Sequence, residues 1–312
     1  KEYKLRKLEL KINFSEENDL ADRKDYDEVS DHLKSLSSGV FQILMPQKDD
    51  GLSGDGTDQG TGFFISDDGY ALTNLHVLKG QEECLKNNSC KLNILFKDTE
   101  VKSYSVDVNV LTCSKVLDFC LFKLKDEFSI EKYFNINTKD IPEKLLSLGF
   151  PADRSKDFNN SGSEETALTY TCGRPVGLSG VGITTSMYIS GGASGSPVID
   201  ELGNDVFGIL SNGLALGPGD GMPGLFRPIA LIEDFYGINS YLTGEKQKKI
   251  DFVLEKLAAS QSGVEAKKYL QDYENEKSLY GIETIESLVY SHENVDVRKE
   301  LFYFLKTHST EI

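Results

Sequence analysis

"GTGFFISDDGYALTNLHVL", residues 60–78, joins two glycines, an apolar alternation, an Asp-Asp-Gly turn and one histidine within nineteen positions. "GFFIS" and "YALTN" read as short strands separated by that turn. Only four histidines occur in the chain, so His76 is not part of a metal site crowded with its own kind. Its purpose is to be sought in residues distant along the chain.

The same texture extends outward from this stretch. Between Val40 and Leu242, short apolar segments such as "GVFQILM", "KLNILF", "VDVNVL", "FCLFKL", "LLSLGF" and "DVFGIL" alternate with Gly, Asp and Asn clusters. Many short strands of this kind predict antiparallel barrels or sandwiches. Upstream, "YKLRKLELKINF" (3–14) places Leu8, Leu10, Ile12 and Phe14 on one strand face, and an acidic stretch follows to about Ser38. Beyond Thr243, "KIDFVLEKLAAS", "VEAKKYLQDY", "IETIESLVY" and "VRKELFYFLKT" repeat apolar residues every three to four positions, the period of a helix. The expected organisation is therefore an arm and linker (1–37), a β domain (38–242) and a helical extension (243–312). The apolar faces of those helices call for packing against the barrels or self-association.

Composition excludes several classes. A formal net charge of -16 repels phosphate backbones despite the basic start "KEYKLRKLELK", so nucleic acid is excluded as a partner. No apolar run approaches the roughly 18 residues of a membrane span. "KDDGLSGDGTDQG" has aspartates among glycines but lacks the spacing and closing Glu of a calcium loop, and no metal is assigned. Among five cysteines, "CLKNNSC" (Cys84, Cys90) can close a small polar loop, and Cys113 and Cys120 flank a turn. The first bridge is expected, the second is left open by the sequence, and one thiol is left over; idle thiols in a reducing cytosol are the opposing reading. Lys1 is no natural initiator and implies a removed leader or an engineered start. A secreted or periplasmic location is expected.

Histidine chemistry at neutral pH needs an orienting carboxylate and a group to deprotonate. "VLDFCLFKL" puts Asp118 at the start of an apolar strand, where a half-buried carboxylate needs a donor such as an imidazole N–H. "SGGASGSPVID" puts Ser194 in a glycine-rich turn whose backbone N–H groups can converge on one point. Gly-x-Ser-Gly also occurs at 51 and 177, but only the copy at 192 runs into Ser-Pro-Val and a strand. His76, Asp118, Ser194 is the chain order of a chymotrypsin-type triad, whereas an α/β-hydrolase would carry its histidine last and a glycine in place of Ser196.

These motifs, with "LLSLGFP" and "GGASGSPVIDELGNDVFGI", resemble the trypsin-like serine peptidases over roughly residues 38–240, nearest to the bacterial Deg (high-temperature-requirement) type. The resemblance implies two six-stranded β-barrels with the site between them, and no cofactor. It implies Ser194 as nucleophile, His76 as general base and Asp118 as its orienting partner, with Gly192 and Ser194 offering oxyanion N–H groups. By the same resemblance Tyr188 lies at the floor of the primary pocket and Leu210, Ser211 and Asn212 on the substrate-facing strand. No carboxylate or histidine stands there for a charged side chain, so a neutral or apolar residue is the expected preference. Ala193 replaces the usual Asp or Asn, which removes an activation ion pair with a new N-terminus. Ser196 replaces a glycine, and no sequence resembling a PDZ domain follows the β region. The rival readings are a catalytically silent peptide-binding module on the same fold and an esterase using the same triad.

Overall fold

The computed structural model describes residues 12, 23–25, 31–44, 59–78, 85, 89–97, 101–125, 128–151, 168–189, 191–200, 203–211 and 222–308. Most of the arm at 3–14, the loop up to residue 58, Cys84 and Asn212 lie outside them. In chain order come β1 (Arg23–Asp25), α1 (Asp31–Ser35), β2 (Val40–Leu44), β3 (Gln59–Phe64), β4 (Tyr70–Thr73), α2 (Leu75–Leu78), β5 (Ser89–Lys97), β6 (Val101–Ser114) and β7 (Phe119–Leu124). Then follow β8 (Asn135–Ile136), β9 (Leu145–Gly149), β10 (Thr169–Gly173), β11 (Pro175–Ser179), β12 (Gly182–Ile189), β13 (Pro197–Ile199), β14 (Asp205–Ser211) and β15 (Met222–Pro228). Helices α3 (Ile229–Tyr236), α4 (Ile238–Leu242), α5 (Glu245–Ala258), α6 (Gly263–Asn275), α7 (Ile282–Ser291) and α8 (Val295–His308) complete the described chain.

The first six-stranded sheet closes into a barrel in the order β2-β3-β4-β7-β6-β5. Its interior follows from a period of two: Leu92 and Ile94; Val106, Val108 and Val110; Cys120, Phe122 and Leu124 fill one cluster. The opposite faces of β3, β4 and β7 are also apolar, and Phe63, Leu72, Phe119 and Leu121 join Leu146, Leu148, Phe150 and Ile209 in a second cluster. Strands buried on both faces put the two β units in direct contact. The hairpin turn between β3 and β4 is as expected, with Ile65 N–H bonded to the Tyr70 carbonyl at 2.9 Å.

The second sheet runs β1-β10-β9-β13-β14-β15-β12-β11, with β8 pairing in parallel with β14. It curls on itself: Ser186 N–H on β12 donates to the carbonyl of Arg174, just after β10, at 3.0 Å, and Arg174 N–H donates to Ser186 Oγ at 3.0 Å. Leu145, Ile183, Met187, Val198, Leu210 and Phe226 pack in its interior. The mainly β architecture with helices at the C-terminal end is the one read from the sequence. Two details differ: the second β unit is a nine-stranded curled sheet where the resemblance implies a closed six-stranded barrel, and within the acidic stretch read as a loose linker, Arg23–Asp25 pairs with β10. Backbone hydrogen-bonding groups at a sheet edge accept any extended segment, whatever its polarity.

Helices α5–α8 have a core of their own, including Ile250, Leu254, Leu257, Leu270, Tyr273, Ile285 and Leu301. They are fastened to the first barrel at one point. The register of β6 against β7 shifts between Val110 and Thr112, and the carbonyl of the intervening Leu111 accepts Leu279 N–H at 2.7 Å. Thr112 Oγ1 donates to the Lys277 carbonyl at 2.7 Å. Among the described residues, no helix is long and apolar enough to cross a membrane.

Candidate active site

His76 sits in the single turn of α2. Leu75, Val77 and Leu78 in that turn are buried, which leaves the imidazole on the open side, its side chain 37% exposed. Asp118 lies in the turn between β6 and β7 with φ of 48°, in the left-handed region that non-glycine residues rarely occupy. Its carboxylate accepts three bonds: His76 N–H to Oδ1 at 3.1 Å, His76 Nδ1 to Oδ2 at 2.8 Å and Ser211 Oγ to Oδ2 at 2.9 Å. A carboxylate can only accept, so the imidazole carries its hydrogen on Nδ1 and keeps Nε2 as an acceptor. Burial pushes the Asp118 pKa up, but the hydrogen bond and charge of His76, with the Ser211 hydroxyl, more than reverse this and hold it below the ordinary value.

Three neighbours of this pair have roles that the sequence does not give. Asn74, wholly buried, donates Nδ2–H to the backbone carbonyl of Asp118 at 2.7 Å, while its Oδ1 has no partner. Ser211, expected on the substrate strand, directs its hydroxyl to Asp118 and is 3% exposed. Arg227 lies opposite Ile209 on β15; burial lowers its pKa and the charge of Asp118 opposes that. All three reach Asp118 across long stretches of chain, so local pattern could not reveal them.

Ser194 is held by backbone geometry. Gly192 and Gly195 flank it at φ 86° and 91°, conformations that a Cβ would disfavour. A Cβ on Gly195 would also collide with the carbonyl oxygen of Thr61. Thr61 on β3 is the peg for the whole turn: its N–H donates to the Ser194 carbonyl at 2.8 Å and its Oγ1 to the Gly192 carbonyl at 2.9 Å. Thr73 Oγ1 in turn donates to the Thr61 carbonyl at 2.7 Å, so the strand leading to His76 and the turn holding Ser194 share one residue. Leu210 braces the other side, accepting Gly195 N–H and donating to the Ser196 carbonyl, both at 2.8 Å. Ser196, the departure from glycine, uses its hydroxyl on the Ala193 carbonyl at 2.6 Å.

Ser194 Oγ is buried and has no hydrogen-bond partner, so no bond joins it to His76 here. The N–H groups of Gly192 and Ser194 also have no acceptor among the described residues. Leu210 is 2% exposed and packs with Ala193, Met187 and Phe226. Tyr188 belongs to β12, but its side chain, like all of Asn212, lies outside the described residues.

Residues 60–209 match the family model of the trypsin-like peptidase domain. An uncharacterized protein, y4bJ, of Sinorhizobium fredii is 26% identical over 160 residues, 50% of this chain and 22% of that protein's length. Similar solved structures include the serine endoprotease from Yersinia pestis, with a TM-score of 0.45, 18% identity and coverage of 68% of this chain and 65% of that one. Deg5 is similar with a TM-score of 0.46 and 18% identity, over 65% of this chain and 89% of its own. The closed barrel, the curled sheet and the order of the motifs agree with this match to the trypsin-like peptidase domain, which covers a little under half of the chain.

Proposed function

We propose that the protein is a serine endopeptidase acting through His76, Asp118 and Ser194 by way of an acyl-enzyme. The observation that carries this reading is the three-bonded Asp118 carboxylate, which holds one imidazole tautomer with Nε2 as an acceptor. Ser194 Oγ adds to the peptide carbonyl while its proton passes to His76 Nε2. The imidazolium is stabilised by Asp118 and returns the proton to the leaving amine, and water repeats the sequence to free the acid. The N–H groups of Gly192 and Ser194, which have no described acceptor, receive the oxyanion.

The resemblance puts Tyr188, Leu210, Ser211 and Asn212 at the primary pocket, where no charged residue type stands, which supports a neutral or apolar primary specificity. Disulfides at Cys113–Cys120 and at Cys90 support residence in an oxidising compartment, secreted or periplasmic. One observation favours the alternative of a catalytically silent peptide-binding module, namely the absence of a bond from Ser194 Oγ to His76.

A fluorophosphonate probe separates the two readings, because only an activated serine is phosphonylated quickly. Rapid labelling that is lost in Ser194→Ala and His76→Ala, together with cleavage of a peptide library by the unaltered chain alone, is the expected result. A chain that stays unlabelled would be a binding module.

A further inference from the structure

We propose that Cys113 and Cys120 are positioning residues for Asp118, and that the oxidation state of this pair switches the site. The proposal rests on the peptidase reading above and adds its regulation.

The two cysteines are register partners on β6 and β7 and are joined by a disulfide. The chain between them, 114–119, is the turn that carries Asp118. Buried Leu117 and Phe119 and the pairing of Cys120 with Thr73 anchor one side of this neck, and the β6–β7 ladder itself is short here. Beyond the register shift at Leu111, β6 and β7 share only the pairs Thr112 with Leu121, Cys113 with Cys120 and Ser114 with Phe119. Inside the turn, Leu117 N–H donates to Ser114 Oγ at 3.2 Å. Asp118 must nevertheless be kept at φ 48°, because from another backbone conformation its carboxylate would not meet the His76 N–H and Nδ1 together. A covalent tie one residue beyond the turn on each side narrows the conformations available to it. Reduction would leave Asn74 as the remaining side-chain hold on the Asp118 carbonyl.

A reductant has a route to the bond. Cys120 is wholly buried, but Cys113 is half-buried and lines a cleft of about 690 Å³ between the Asp118 turn and the C-terminal helices, with Lys115, Val116, Tyr236, Glu274 and Lys277. Two lysines on that cleft favour an incoming thiolate. The thiolate of a dithiol adds to Cys113 Sγ, the S–S bond breaks and Cys120 leaves as a thiolate that takes up a proton. The second thiol of the reductant then displaces Cys113, so two electrons and two protons enter the protein and the reductant becomes its disulfide.

The test uses the full chain carrying Cys84→Ser, Cys90→Ser and Cys172→Ser, which leaves this pair as its only cysteines. Peptide turnover and fluorophosphonate labelling are measured after equilibration with oxidised or reduced dithiothreitol. Reduction is expected to lower kcat and the labelling rate by about tenfold or more, below the roughly 10⁴-fold cost of a wrong tautomer, with KM unchanged and full recovery on reoxidation. Cys113→Ser with Cys120→Ser should fix the low rate and abolish the redox response. Should the triple variant not fold, the natural sequence is titrated with dithiothreitol while differential alkylation follows each cysteine, and the rate should fall in step with exposure of Cys113 and Cys120. Equal kcat in both redox states overturns the switch and leaves the peptidase reading intact. Absence of labelling and cleavage in either state overturns the peptidase reading and the switch with it.

Discussion

Asp118 gathers the interactions of the candidate site at the scale of one residue. Its folded pKa lies below the ordinary value, so its contribution to stability is in place above the unfolded carboxyl value of about 3.9 and is lost as pH falls through the lower folded value. Removing the Ser211 hydroxyl takes away one of the interactions that hold that pKa down. In Ser211→Ala, acid unfolding followed by circular dichroism should therefore begin at higher pH. Turnover should fall about tenfold, as roughly 1–2 kcal/mol of support to a buried charge is removed. Asp118→Asn should cost about four orders of magnitude in kcat by holding the other tautomer. A Ser211→Ala chain with unaltered acid transition and kcat would show that this hydroxyl does not bear on the carboxylate.

At the scale of elements, the controlling contact is between the β6–β7 hairpin and the α6–α7 connection. Leu279 donates its N–H to Leu111 and lays its side chain against the core of the first barrel, while Tyr280 packs against the cores of the barrels and the helices. Leu279→Ala keeps the backbone bond and should lower stability by about 1–2 kcal/mol through lost burial. A chain ending at Leu242 loses bond and burial alike, and should melt lower, aggregate more readily and turn over substrate more slowly. Thermal melts, light scattering and cleavage rates test this together. Identity with the full chain in all three would remove the helices from any structural or regulatory role.

The whole molecule divides its cysteines unevenly between its two β units. Cys113, Cys120 and Cys90 belong to the first barrel and are all in disulfides, while Cys172, on β10 of the second sheet, is not in one. Alkylation of the native chain without reductant, followed by intact-mass measurement, should therefore add a single group, at Cys172. Five added groups would refute both bridges and place the protein in a reducing compartment. The helical end also exposes Tyr290, Phe302 and Tyr303, at 86%, 56% and 62%. Those are the residues to replace in testing self-association by light scattering.

Much was legible from short-range pattern. Alternation marked the strands, a three-to-four-residue period marked the helices, and the order His76, Asp118, Ser194 with its flanking glycines picked out the candidate triad. Each of these is a repeat or spacing measured along the chain, where backbone geometry itself sets the period. What depended on the tertiary structure were the contacts made between segments far apart in sequence. Thr61 holds the turn of Ser194 from the other barrel, and Ser211 and Asn74 settle onto Asp118 from two different elements. Leu111 gives its carbonyl to a helix connection far downstream. Nothing in the local sequence of a Thr, Ser or Asn distinguishes a surface hydroxyl or amide from one buried against a charge. That choice is made when the barrel and the curled sheet close on each other and most of the polar groups shut between them find a partner.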